Sequence, residues 1–435
     1  MKIAVIGAGI AGLGCAYALT RDAGSACRVT LFEAESRLGG HTNTVDVSLD
    51  GATYPVDTGF LVFNERTYPR VIALFDELRV PVAAADMSFS VSATLRGSAR
   101  RLEWAGTDLA SVFAQRRNLV SPRFIGMLVD LLRFNRQATR VAEGEEDAAG
   151  LSLGEFLDRH RYGEAFRRWY LLPMAAAIWS CPMTAMRTYP VSTFARFCHN
   201  HGLLQIADRP RWFTVRGGAR QYVERIAARL ADVRLAEPVR QVTRCAKGGA
   251  MVATLRGRET FDHVVLACHS DQALRILTDA DRDESAVLAA VRFQPNRAVL
   301  HTDHRLMPQS RKVWAAWNYL SDDRANRDAG STVSVTYLLN KLQPLPFSKP
   351  VFVSLNPITE PGAGSVLAEF DYAHPVFDEG AIGAQHRLAD VQGRRAVWFA
   401  GAWTGYGFHE DGLKSGLNVA DALRARIPSA LKLAA

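Results

Sequence analysis

Lysine is scarce in this chain: only seven of its 52 basic residues are lysines, and the rest are arginines. Cysteine is scarce as well. Cys15, Cys27, Cys181, Cys198, Cys245 and Cys268 are scattered, with no CxxC pair and no metal-ligand spacing. That pattern excludes a disulfide framework and fits a reduced, cytoplasmic setting. His199 and His201 form the one close histidine pair in the middle of the chain, and no further ligand cluster supports them, so no metal is expected. No block of like charge is long enough to make a nucleic-acid tail. No segment reaches the ~20 apolar residues needed to span a bilayer. The nearest candidate, Ile3 to Leu19 after Lys2, resembles a signal peptide in hydropathy. Its glycines instead fall on a dinucleotide-binding pattern, so it reads as part of the fold.

What is present is an ordinary globular composition: 435 residues, 48% hydrophobic and 22% charged. The length suits two intertwined domains rather than one simple core. The formal net charge of +8 fits two readings. One is an arginine-rich composition without functional meaning. The other is attraction to an anionic lipid surface or an acidic substrate, hence peripheral contact with a membrane.

Lys2 to Ile6 reads as a short buried strand, Gly7 to Gly14 as a glycine-rich turn entering a helix that runs to about Arg21, and Arg28 to Phe32 as a second buried strand. Residues from about Thr67 to Ala207 read as mainly helical, with helical apolar periods in Arg70–Leu78, Phe124–Phe134 and Leu153–Tyr170. Gly217-Gly218 precedes another amphipathic helix, Tyr222 to Leu230. Strands are expected at Val239–Val242, Val252–Leu255 and His263–Ala267. Alternation marks Ala298–His301, Val313–Tyr319 and Val333–Leu338 as a sheet. Val397–Ala400 is a last buried strand, and Asp411–Arg424 the helix after it. Gly144 to Gly150 is a surface loop. The expected fold class is α/β. A discontinuous nucleotide-binding domain (1–75, 212–285 and 390–435) would interleave with an α+β substrate domain (76–211 and 286–389).

Gly7-Ala8-Gly9-Ile10-Ala11-Gly12 is a GxGxxG run. The first glycine permits the tight turn, the second lets the backbone approach a pyrophosphate, and the third lets helix and sheet pack closely. The helix N-terminus offers free N–H groups and a positive dipole to phosphate. Glu33 ends the next strand, where a carboxylate accepts hydrogen bonds from ribose hydroxyls and disfavours the extra phosphate of NADP. Beyond it, Ala34-Glu35-Ser36-Arg37-Leu38-Gly39-Gly40-His41 brings a second glycine pair beside a guanidinium. Taken alone this run is equally a surface turn.

The run from Glu33 to Gly40 resembles the second FAD motif of the amine oxidase, protoporphyrinogen oxidase and phytoene desaturase superfamily. Phe399-Ala400-Gly401 and Asp411-Gly412-Leu413-Lys414-Ser415-Gly416-Leu417 resemble its closing flavin motif. More narrowly, Val56 to Phe60, Phe63 to Pro69, Leu171 to Ser180, Asn200 to Leu204 and Gly407 to Gly412 are similar to one bacterial family of NAD/FAD-binding proteins. The resemblance implies FAD as cofactor and a Rossmann-like FAD-binding domain of the GR2 type. It places Gly7, Gly9 and Gly12, with Ile10 and Ala11 between them, at the pyrophosphate, and Glu33 with Ala34 at the ribose. Arg37, Gly39, Gly40 and His41 would serve the phosphates and ribityl. Thr58, Gly59, Phe60 and Leu61 would pass near the flavin ring, and Val239 would meet adenine through its backbone. Gly401, Ala402, Asp411, Gly412 and Leu413 would lie at the ribityl and the pyrimidine end of the ring.

Two departures stand out. An acidic residue commonly follows the position of Gly401, and here it is Ala402. Many amine oxidases place a lysine under the flavin from a middle strand, and the comparable strand, Asn296 to Asp303, has none.

Flavin carries the difficult step itself, so no catalytic triad need be visible. Trp403, Tyr406, Phe408 and His409 flank the flavin helix. His409 and Tyr406 are the candidates for moving a proton, against a reading of the group as aromatic packing. Trp179, Cys181, Met183 and Met186 suggest an apolar pocket or simply a core, and Trp179 and Met183 with Trp403 and Phe408 would line the substrate site. Glu410 and Asp411 cap the helix in the simplest reading. Cys268-His269 reads as a strand end rather than a nucleophile pair. The expected activity is removal of hydride from an activated or allylic carbon of a lipophilic substrate. Reoxidation would be by oxygen or a partner. The family resemblance, whose members tend to be encoded beside cyclopropane-fatty-acid-synthase-like methyltransferases, implies an acyl chain and hence a desaturase or dehydrogenase. An amine or amino-acid oxidase, and a flavin-binding partner without turnover, are the alternatives.

Overall fold

The computed structural model describes residues 1–23, 26–94, 100–179, 183–205, 209–322 and 332–427, so Cys181 lies outside the described residues. Lys2–Ile6 is buried at four of its five positions, as a strand covered on both faces requires. It pairs in parallel with Arg28–Phe32 on one side and His263–Leu266 on the other. Asp232–Arg234 and Val397–Phe399 extend the sheet to five strands, all parallel. Strands from the start, middle and end of the chain therefore share one sheet, in the doubly wound α/β manner.

The helix Ile10–Ala23 opens directly from the glycine turn. It crosses the last helix, His409–Ala425, at very short range: a Cβ on Gly416 would sit 2.0 Å from the Ala11 carbonyl oxygen. No side chain fits there, and the closeness locks the C-terminal helix onto the N-terminal turn. Gly7 has φ +103°, and a Cβ there would lie 2.6 Å from the Ala267 carbonyl oxygen, so both conformation and space demand glycine.

A second, seven-stranded sheet carries Val366–Val376, Arg292–His301, Phe352–Leu355, Thr332–Leu338, Trp317–Asp322, Phe89–Thr94 and Arg101–Ala105 in that spatial order. All its pairings are antiparallel except Trp317–Ser321 with Phe89–Ala93. Helices Pro122–Glu143, Leu153–Arg159, Leu172–Trp179, Met183–Arg187 and Val191–Asn200 form the α part that accompanies it.

The stretch expected to be mainly helical is interrupted by three strands, Val82–Ala85, Phe89–Thr94 and Arg101–Ala105. The alanine-rich Val82–Ala85 has ample helix propensity, but pairing with Trp212–Val215 overrides it. The helix expected over Leu153–Tyr170 stops at Arg159. Arg161 takes φ +52°, and the chain resumes as Glu164–Phe166 and a wider turn over Arg167–Leu171. The strand expected from Val313 starts at Trp317. The Asn318 side chain bonds both the N–H and the carbonyl of Ala315 and holds that residue in a turn. The strands Phe352–Leu355 and Val366–Val376 were not anticipated.

Candidate functional site

A cavity of about 1830 Å³ runs from the glycine turn of the parallel sheet to the aromatic face of the helical layer. The first turn sets its floor. The Glu33 carboxylate accepts from the Ala8 N–H at 2.8 Å through one oxygen and from the Glu35 N–H at 2.9 Å through the other. The second glycine run docks onto the first: the Gly39 N–H donates to the Ala8 carbonyl at 2.8 Å. Arg37 Nη1 bonds the carbonyls of Gly40 (2.9 Å) and Thr42 (3.3 Å), so the guanidinium braces its own loop as well as lining the cavity. Gly9 is the open point of this floor, since a Cβ there would meet nothing within 4 Å. Gly9 also lines the cavity, and a pyrophosphate there would need such a close backbone approach.

Above the floor sits a cluster of rings. His41 stacks on Tyr372 with centroids 5.2 Å apart and lies equally close to His374. Its Nε2 is buried with no hydrogen-bond partner among the described residues. Burial, reinforced by His374, His269, His409 and Arg37, holds its pKa well below the ordinary imidazole value. Tyr372 Oη is held by Asn43 Nδ2 at 2.9 Å and lies 2.8 Å from Thr58 Oγ1. His374 Nδ1 is 2.9 Å from Asn296 Nδ2, and burial brings its pKa down to about 4. His269 stacks flat on Phe293 at 4.1 Å. His409 lies flat against Phe60 at 3.7 Å. Its Nε2 is 3.0 Å from Thr42 Oγ1 and 2.9 Å from Tyr222 Oη, and burial pushes its pKa down to about 3. Burial therefore favours the neutral form of each of these imidazoles.

Of the residues singled out in the sequence, Gly7, Gly9, Ile10 and Ala11 of the first motif line the cavity, with Glu33, Ala34, Arg37, Gly39, Gly40 and His41 of the second. So do the stretch Thr58–Leu61, Val239, Gly401 and Ala402. Trp179, Trp403, Tyr406, Phe408 and His409 complete the set. Gly12, Asp411, Gly412, Leu413 and Met183 are not on its wall. Gly12 and Gly412 act in packing: a Cβ on Gly12 would strike the Gly7 carbonyl oxygen, and one on Gly412 would strike the Ile10 side chain. Asp411 Oδ2 accepts from the Phe408 N–H at 3.0 Å, and burial raises its pKa to about 6. Leu413 is core, and Met183 packs against the helical core. Glu410 caps a different helix from its own, accepting from the N–H groups of Arg70 and Val71 at 3.0 to 3.1 Å.

Sequence reasoning missed Tyr372 and His374, and it missed the wall formed by Trp104, Phe197, Trp317 and Tyr337. The signal for the first two was available. Glu369-Phe370-Asp371-Tyr372 alternates acid with aromatic, as a half-covered strand does.

The family model described as flavin containing amine oxidoreductase matches residues 10–342. A carotenoid phi-ring synthase of Streptomyces griseus is 29% identical over 324 residues, covering 67% of this chain. The chain spans 58% of that relative's length. Two solved structures share the fold. A putrescine oxidase bound to putrescine is 17% identical, with TM-score 0.68 over 98% of this chain and 100% of that one. A CLA-producing fatty acid isomerase from P. acnes is 16% identical, with TM-score 0.65 over 98% of both chains. The cofactor is FAD, and the floor fits it. The open Gly9 and the Glu33 strand end, both on the cavity wall, are features a dinucleotide would meet.

Proposed function

The chain belongs to the flavin-containing amine oxidoreductase family, and on that premise we propose that it takes hydride from a C–H bond of a lipophilic acyl substrate. Its FAD-binding part would be residues 1–75, 212–285 and 390–435, and its substrate part 76–211 and 286–389. Bound FAD supplies the hydride acceptor. The protein's own residues would hold the chain at the aromatic end of the cavity.

One observation carries the choice of substrate. Trp104, Met174, Ile178, Trp179, Phe197 and Trp317 line the cavity, and an apolar chain is stabilised against such walls by about 0.8 kcal/mol per buried methylene, whereas an ammonium must give up its hydration there. Asp86, which lines the same cavity, does not offer a free counter-ion to an amine, because Lys341 Nζ holds it at 2.8 Å. No lysine lines the cavity among the described residues. The fold itself is neutral on the question, since it serves both a putrescine oxidase and a fatty acid isomerase.

Tyr406 and Phe408 stand on the wall with Trp403, and both rings pack on Phe197, at 5.7 and 5.1 Å. We assign them to closing the apolar end around the chain. His409 is assigned to positioning, since its ring is clamped by Phe60, Thr42 and Tyr222. The test is anaerobic: a long-chain acyl substrate should bleach the bound flavin. Bleaching by small amines alone would replace this reading with an amine oxidase. Bleaching by neither class, with lipid profiles unchanged on gene deletion, would leave a flavin-binding partner.

A further inference from the structure

Of the ten large hydrophobic residues that are exposed among the described residues, six lie between positions 109 and 132. They are Leu109, Leu119, Val120, Ile125, Val129 and Leu132, and Leu109 and Val120 are 77% and 83% exposed. Single exposed leucines are normal on a protein surface, but such a cluster marks an interaction site.

The cluster has a helical basis. Helix Pro122–Glu143 buries Phe124, Met127 and Phe134 in the core. Ile125, Val129 and Leu132 follow one another at helical spacing on the solvent side. The turn Arg116–Val120 brings Leu119 and Val120 to the N-terminal end of that face. Between the two faces, the half-buried Leu128 and Leu131 line the large cavity. Gly106 and Thr107 also line it and are themselves exposed, two residues before Leu109. The cavity wall and the exposed apolar face thus share the helix Pro122–Glu143 and the segment before Leu109.

The charge around this surface has one dominant sign. From position 106 to 136 the chain carries five arginines, Arg116, Arg117, Arg123, Arg133 and Arg136, against Asp108 and Asp130. Asp130 is paired with Arg133 at 3.1 Å. Arg116, Arg117, Arg123 and Arg136 are exposed.

We propose that this face, Leu109 to Leu132 with its flanking arginines, docks on the surface of an anionic lipid bilayer and sets the cavity mouth against the acyl layer. The apolar side chains enter the boundary between headgroups and chains, and the arginines meet the lipid phosphates. A chain then passes from bilayer to cavity without crossing water. The inference rests on the acyl-substrate reading only for what passes through the mouth; the docking itself does not require turnover.

The test uses the full FAD-loaded chain in flotation with phosphatidylcholine vesicles, with and without phosphatidylglycerol. The wild type should float with the phosphatidylglycerol vesicles, and less so as salt is raised. Val120→Asp with Val129→Asp should lower partitioning by about tenfold or more on those vesicles. Arg116→Glu with Arg123→Glu should abolish the preference for phosphatidylglycerol. These side chains are exposed, so flavin absorbance and thermal melting should be unchanged in both variants. Equal flotation of the wild type and the aspartate variant would overturn the proposal. So would a wild type that never floats, or a chain dimer that the aspartates dissociate in the absence of vesicle binding. Flavin reduction by a water-soluble short acyl substrate, measured without vesicles, separates the two ideas. It should survive the aspartates, and its absence from the wild type would sink the acyl reading while leaving docking untouched.

Discussion

Acidification should destabilise this protein well above the pH at which carboxylates titrate. His201, His301 and His374 are held by burial at about 4, and His409 at about 3. Each is neutral in the fold at pH 5 but protonated in the unfolded chain, where imidazole titrates near 6.5. The unfolded state therefore binds more protons, and stability falls as pH drops through 6.5. From pH 7.5 to 5.0 each group should cost about 2 kcal/mol. Two carboxyls oppose this. Burial raises Asp57 to about 7 and Asp411 to about 6, so the fold holds protons that the unfolded chain has released. On acidification over the same range they return about 4 kcal/mol between them. The histidines prevail, with a net loss of about 4 kcal/mol and an uptake of about two protons on unfolding near pH 5.5. His41, His263 and His269 are shifted in the same direction and add to the effect. Urea denaturation at pH 7.5, 6.5, 5.5 and 5.0, followed by near-ultraviolet circular dichroism, measures the slope. A stability that is flat or rising on acidification would refute the reasoning, because it would mean the cluster carries charge in the folded state.

Three further outcomes follow from the floor of the cavity. Glu33→Ala should weaken FAD retention by about 1–3 kcal/mol by leaving the Ala8 and Glu35 N–H groups unpaired; flavin absorbance after exhaustive dialysis measures it. Gly9→Ala should leave melting of the apoprotein nearly unchanged, since its Cβ meets nothing, yet lower FAD affinity by about tenfold or more, because the methyl would enter the space that we assign to the pyrophosphate. Gly416→Ala should do the reverse in part. Its Cβ would collide with the Ala11 carbonyl, so the apoprotein itself should lose about 1–3 kcal/mol in urea denaturation.

The parts legible in the sequence were those encoded locally. Gly7 to Gly12 and Glu33 announce a turn, a helix start and a strand end within a few dozen residues, and the parallel sheet forms around them. The substrate side is built otherwise. Phe89–Ala93 pairs with Trp317–Ser321, more than 200 residues away, and nothing in either segment specifies that partner. Val366–Val376 carries its alternation openly in Glu369 to Tyr372, but Pro375 near its end reads as a break. Pro375 is tolerated there because the strand lies at the edge of its sheet. Missing that strand meant missing Tyr372 and His374, and with them the reason His41 is packed among rings.

That ring cluster bears on how the chemistry is shared. A residue that moves a proton during turnover needs a pKa near the working pH. His409 sits at about 3, because burial between Phe60, Thr42 and Tyr222 strips the water that would stabilise its charge. Burial thus favours the neutral ring at pH 7, which fits positioning better than service as a resident acid. The consequence is measurable in flavin reduction. If His409 positions Thr42 and Tyr222 beside the second glycine run, the reduction rate should show no limb near pH 6.5. His409→Gln, whose amide can still reach both hydroxyls, should then keep most of the rate while His409→Ala loses FAD affinity. A limb near pH 6.5 that disappears in His409→Gln would place the proton on this imidazole after all.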